Sequence, residues 1–208
     1  MIRVPRILKH TAAAALLAAV VTLGPANTAL AAGPAANTSG SLRTLSVLGR
    51  TVEVYVPRKR EKRAPLVLAF HWSTARGANM LKLWQQTADR EGIVLVLPSS
   101  KHRREWTKGD AEATDAALKQ VLAEESIDRT RIYATGFSGG ANFAYRFFLT
   151  HPKLFAGLGP FAGRLITKPG ELDAISSPRR VNACIVHGTF DRKIPYREAR
   201  HAAQALGA

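Results

Sequence analysis

From position 41 onward the apolar residues change period as the chain advances. Val52, Val54 and Val56 alternate with Thr51, Glu53 and Tyr55, the period of a half-buried strand. Leu48-Gly49-Arg50 ahead of them reads as a turn, so 41–56 is predicted to be a β-hairpin. Residues 64–70 (Ala-Pro-Leu-Val-Leu-Ala-Phe) and 92–98 (Gly-Ile-Val-Leu-Val-Leu-Pro) are continuous apolar runs, as expected of strands covered on both faces. Further strands are predicted over 131–135, 155–161 and 181–186. Helical spacing occupies the intervals: 78–91 (Met80, Leu81, Leu83, Trp84, Ala88), 110–124 (Ala113, Ala116, Ala117, Val121, Leu122), 141–150 and 196–206. Strands alternating with helices of this length imply βαβ units. The expected fold is α/β: a mostly parallel sheet with an antiparallel N-terminal hairpin and helices on both faces.

The first residues follow a different pattern. Arg3, Arg6 and Lys9 precede an Ala/Leu/Val run over 11–24, and Ala29-Leu30-Ala31 follows. Basic start, short apolar middle and small-residue exit are the parts of a secretory signal. The run is shorter than the roughly 20 residues a spanning helix needs. Residues 1–31 are therefore predicted to be a cleaved signal, 32–40 a flexible small-residue segment and 41–208 the folded domain of an extracellular protein. No membrane span is expected.

Composition narrows the class. The 208 residues are 46% apolar and 22% charged, which excludes wholesale disorder. A single cysteine, Cys184, forms no internal disulfide and is expected in the core of its strand. The net charge is +15 and drops to +12 without Arg3, Arg6 and Lys9. The basic residues gather at 58–63, 101–104, 179–180 and 192–193. They read as solvated loops, with an anionic cell-wall or surface polymer as a candidate partner. No recognition helix or aromatic-interleaved basic strand is present, so nucleic acid is not expected.

The chemistry is concentrated in three places. Gly136-Phe137-Ser138-Gly139-Gly140 is a G-x-S-x-G motif between a predicted strand and a predicted helix. Such a turn strains the serine backbone and lifts its hydroxyl above the sheet, while the following amides face a developing oxyanion. Phe70-His71-Trp72-Ser73 ends the first parallel strand, where a second oxyanion amide is donated in sheets of this kind. His71 precedes the serine and is expected to shape the loop by hydrogen bonding. His187-Gly188-Thr189-Phe190-Asp191 closes a late strand, where an aspartate can orient a catalytic imidazole. No cluster has metal-ligand spacing, and neither metal nor cofactor is expected.

These segments, over residues 50–196, resemble the secreted α/β-hydrolases of the polyhydroxybutyrate depolymerase and feruloyl esterase family. The matching stretches are Pro65 to His71, Ala88 to Val94, Asp110 followed by Ile127 to Ser138, and His187 to Asp191 with Ile194-Pro195-Tyr196. The resemblance implies an ester substrate, polymeric or small. It also implies Ser138 as nucleophile, Asp191 as acid, and oxyanion amides from Gly139 and from Ser73 or Trp72. Trp72 departs from the family, which has glycine there. The family's catalytic histidine follows the acid beyond another helix and strand. Here the only later histidine is His201, about six residues into a predicted helix, and His102 and His151 precede the acid. Two of three triad members are therefore visible, and the chain is expected to be C-terminally truncated. The alternatives are a serine peptidase or cell-wall acyltransferase on the same fold, or a catalytically incomplete hydrolase that only binds.

Overall fold

A computed structural model describes residues 40–166 and 182–207, all within one unit spanning Thr38–Ala208. The predicted signal (1–31), nearly all of 32–40, and the connection over 167–181 lie outside the described residues.

The hairpin forms as its pattern predicts. Strands β1 (Ser41–Val47) and β2 (Arg50–Val56) pair antiparallel, with Val47 opposite Arg50. Leu48 and Gly49 both have positive φ, 49° and 70°, the two left-handed positions of a tight hairpin turn. The chain continues through β3 (Ala64–Phe70), α1 (Gly77–Glu91), β4 (Val94–Pro98), α2 (Lys108–Glu124), β5 (Ile127–Phe137), α3 (Gly139–Thr150), β6 (Gly157–Phe161) and α4 (Tyr196–Leu206). Sheet order is β1-β2-β4-β3-β5-β6. β2 joins β4 antiparallel, and β4, β3, β5 and β6 run parallel. The mostly parallel sheet with an antiparallel edge is as expected from the sequence.

All seven residues of β3 and all five of β4 are buried, which explains why neither alternates. Leu66, Leu68, Phe70, Val94 and Val96 face one core, shared with Ala117, Leu118 and Val121 of α2, Phe143 and Phe147 of α3, and Ala202 and Leu206 of α4. The opposite face of the sheet is covered by α1, whose buried residues are Gly77, Met80, Trp84, Thr87 and Ala88. Helices thus lie on both faces.

Three local expectations shift. Leu83 is 54% exposed: it lies about 100° around the helix from Trp84, outside the buried arc. On α2 the covered residues include Thr114 and Leu118, while Ala116 and Leu122 are only partly buried. In 182–186, parallel bridges join Ala183 to Leu158 and Val186 to Phe161, and Cys184 N–H donates to the Leu158 carbonyl. Nothing among the described residues pairs with the far side of this segment. Cys184, expected in the core, is therefore only half-buried, though its surroundings still raise its thiol pKa by desolvation.

Candidate active site

β3, β5, β6 and the 183–186 segment run parallel, so their carboxyl ends lie along one edge of the sheet. Non-glycine residues with positive φ gather there. Thr74 follows β3, Ser138 follows β5 and Ala162 follows β6; among the described residues only Leu48, in the hairpin turn, lies elsewhere. Such conformations cost about 1–3 kcal/mol each and persist only where packing over-determines them.

Ser138 has φ 55° and ψ −117°. Its N–H donates to the Phe161 carbonyl at 2.9 Å, and its carbonyl accepts from Ala141 and Asn142, so it serves as the N-terminal boundary of α3. The flanking glycines are required by close approach. A side chain at Gly136 would strike the Gly140 carbonyl, and one at Gly140 would strike the carbonyls of Phe70 and His71. The G-x-S-x-G spacing thus lets β3, β5 and α3 meet backbone to backbone.

The loop after β3 lies against this turn. A Cβ placed on Gly139 would sit 2.9 Å from Ser73 Oγ and 3.7 Å from Ser73 N. The Gly139 amide is among the first four of α3 and has no partner within the helix. Ser73 N–H likewise donates to nothing among the described residues. Of the two sequence candidates in this loop, Ser73 is the one whose amide is seen close to Gly139. Trp72 instead lends its ring. It meets Phe137 edge to face, centroids 5.7 Å apart, and Phe137 is 42% exposed. Trp72 immediately precedes Ser73 and Phe137 immediately precedes Ser138, so together they wall the surface beside Ser138.

His71 has the loop-shaping arrangement expected of it. It is fully buried, Nε2 accepts from Ser100 N–H at 3.0 Å, and Nδ1 donates to the Trp72 carbonyl at 2.7 Å. Burial lowers its pKa and keeps the imidazole neutral. Trp106 Nε1 donates to the His71 carbonyl at 3.2 Å and stacks on Phe143 of α3. Thr74 N–H donates to the Arg103 carbonyl, and Ser73 Oγ donates to the Arg104 carbonyl at 3.3 Å.

Behind this second loop stands Asp110, 1% exposed. Its Oδ1 accepts from Lys101 N–H and Arg50 Nε, both at 3.0 Å. Its Oδ2 accepts from Thr107 N–H and Thr107 Oγ1, both at 2.7 Å. Burial pushes the carboxyl up, but the bonds from Thr107, Lys101 and Arg50 together outweigh it and hold the pKa below the ordinary 3.8. The anchoring role of Asp110 is not visible in the periodicity. The signal that points to it is Thr107-x-x-Asp110, a capping-box spacing that also moves the start of α2 ahead of position 110.

Asp191 lies in the loop after 183–186. Its Oδ1 accepts from Lys193 N–H at 2.8 Å and Ile194 N–H at 3.0 Å. The Ile194 bond, then the Lys193 bond, hold its pKa below the usual carboxylate value. The carboxylate is thus ionised at neutral pH, and Oδ2 is 3.8 Å from His187 Nε2. The His187 side chain is 1% exposed and its Nε2 donates to the Ile194 carbonyl at 2.6 Å, so the ring is engaged away from Ser138.

The other described histidines lie elsewhere. His102 is exposed in a bridge with Glu105. His151 stacks on Phe147 and holds Asp115 at 2.9 Å. His201 is exposed on α4. Among the described residues no imidazole hydrogen-bonds Ser138.

Comparison with known proteins gives the family. A family model described as phospholipase/carboxylesterase matches residues 92–208. The chain belongs to this family. It is 30% identical over 158 residues to the bifunctional acetylxylan esterase/xylanase of Neocallimastix patriciarum, covering 72% of this chain and 22% of that protein. It is 31% identical over 126 residues to poly(3-hydroxyalkanoate) depolymerase C of Paucimonas lemoignei, covering 52% and 30%. The chain thus spans less than a third of either relative. Among solved structures, the acetyl xylan esterase from Aspergillus awamori superposes with a TM-score of 0.66 at 19% identity, over 81% of both chains. At that identity the likeness speaks for the fold, which is that of the α/β-hydrolases.

Proposed function

We propose that this chain is a secreted carboxylic ester hydrolase working through an acyl-serine intermediate on Ser138. The observation that carries the reading is the Ser138 turn: a strained serine between β5 and α3, with Gly139 lying against Ser73. Ser138 Oγ attacks the ester carbonyl and gives its proton to a base. The oxyanion accepts hydrogen bonds from the amides of Gly139 and Ser73. The alcohol leaves with a proton, water attacks the acyl-serine, and the acid departs. Asp191, already ionised, orients and stabilises the imidazole that serves as base. None of the described histidines is assigned that role.

The names of the relatives place acetylated xylan and polyhydroxyalkanoate among the esters to test, and feruloyl esters belong with them. Secretion rests on the 1–31 pattern, and no helix among the described residues is long and apolar enough to cross a membrane.

The test is hydrolysis of p-nitrophenyl butyrate by the full chain beside Ser138→Ala, with a fluorophosphonate probe to label the nucleophile. Turnover and labelling that vanish in the variant support the reading. A folded protein that neither turns over nor labels above Ser138→Ala overturns it and favours a protein that only binds.

A further inference from the structure

The two longest basic segments are treated differently by the fold. At 58–63 two of the cations are paired with carboxylates, and Glu61 pairs with a cation outside the segment. Arg60 meets Glu125 at 3.5 Å, Arg63 meets Asp128 at 3.7 Å, and Glu61 meets Arg131 at 2.6 Å. This segment leads into β3 and lies against the start of β5, away from the strand ends that carry Ser138.

At 101–104 no carboxylate comes within ion-pair distance of Lys101, Arg103 or Arg104 among the described residues, and all three are exposed. Their backbone is fixed to the loop beside Ser138. The Arg103 and Arg104 carbonyls hold Thr74 N–H and Ser73 Oγ, and Arg103 Nη2 donates to the Thr74 carbonyl at 3.3 Å. Arg76 adds a fourth cation, its Nη1 on the Ser100 carbonyl at 2.7 Å. The nearby acids are the exposed Glu105, Glu53, whose charge acts on Arg76, and the buried Asp110, which is already bound to Arg50, Lys101 N–H and Thr107. The strip therefore presents a net positive charge beside Ser73, with Lys101, Arg103 and Arg104 unpaired among the described residues. Like-charge repulsion disfavours such clustering unless an anion relieves it.

We propose that residues 101–104, with Arg103 at the centre, form a subsite for the negative charge of an anionic ester, one whose acyl or alcohol part carries a carboxylate. The guanidinium is suited to this as a planar donor that pairs with carboxylates. The proposal rests on Ser138 being the nucleophile. It adds what the substrate carries.

The experiment compares matched substrates with the full chain. Phenyl acetate against 4-acetoxybenzoate places the charge on the alcohol side. p-Nitrophenyl butyrate against mono-p-nitrophenyl glutarate places it on the acyl side. The readout is the anionic-to-neutral ratio of kcat/KM in wild type, Arg103→Gln, Arg104→Gln and the double variant, at low and high sodium chloride. The expected result is a ratio that falls about fivefold or more in the double variant for one of the pairs. High salt lowers the wild-type ratio in the same way. Arg103→Lys, which keeps the charge, restores most of it. A ratio indifferent to both substitutions and salt, on both pairs, overturns the proposal. Arg104→Gln guards against a folding artefact, since that side chain makes no bond among the described residues. If Ser138-dependent turnover is absent, the function proposed above fails. The subsite is then read separately by titrating Ser138→Ala with 4-acetoxybenzoate and phenyl acetate, following tryptophan fluorescence. Equal affinity for the two overturns it.

Discussion

The candidate site has two halves built to different standards. The half around Ser138 and Ser73 is buttressed in depth. His71 is completely buried and bonded through both ring nitrogens, Trp106 stacks behind it, and Asp110 holds the supporting loop with four donors. The half around Asp191 is a surface loop after a segment paired only with β6 among the described residues, and Phe190 beside it is 94% exposed. The difference fits the chemistry proposed above. Oxyanion amides must be aimed to within a fraction of an ångström, whereas a carboxylate acts through charge and one hydrogen bond. Stability and activity should therefore separate between the halves.

The largest separation is expected at Asp191. Asn can still accept the Lys193 and Ile194 N–H bonds, so Asp191→Asn keeps the loop but loses the charge. Turnover of p-nitrophenyl butyrate should fall by about four orders of magnitude. The melting temperature should move by less than about 2 °C. A large drop in melting temperature would make the acid loop structural and close the gap between the halves.

Asp110→Ala should do the reverse. It removes a buried charge with four donors and leaves Arg50 and two amides unmatched, at a cost of about 3–5 kcal/mol in urea denaturation. The same group gives a pH signature. Its folded pKa lies below the ordinary 3.8, so its stabilisation is present above about pH 4 and is lost as pH falls through the folded value. Asp128, lowered to about 2 chiefly by Thr130, follows the same sign. The stability difference between wild type and Asp110→Asn should therefore shrink below pH 4, and a difference that grows there would refute the account.

The smallest effect is expected at Trp72. Trp72→Gly removes the edge-to-face contact with Phe137 and restores the small residue seen in the resembling family. The kcat/KM ratio of a bulky to an acetyl ester should rise by about tenfold. An unchanged ratio would place the aromatic wall outside the acyl path.

Much of the half around Ser138 was legible in the sequence, for a local reason. Gly136 to Gly140 specify a turn that only those residues tolerate, and the flanking runs announce the strand and helix around it. The loop-shaping role of His71 was legible too, from its place at a strand end ahead of the serine. Asp110 as anchor was not, because its partners Arg50 and Lys101 lie 60 and nine residues away. Nor was the half-burial of Cys184, which depends on what lies beside its segment rather than on the segment's own pattern.

By itself, the sequence determined the elements, the parallel sheet with its hairpin edge and the serine turn, since these follow from side-chain period and backbone sterics over a few residues. Only the tertiary structure decided which basic residues meet carboxylates, that His71, His151 and His187 are held by partners, and that Ser73 rather than Trp72 has its amide close to Gly139. Those outcomes depend on which distant groups meet when β3, β5 and α3 close on one another, and a linear pattern carries no record of such meetings.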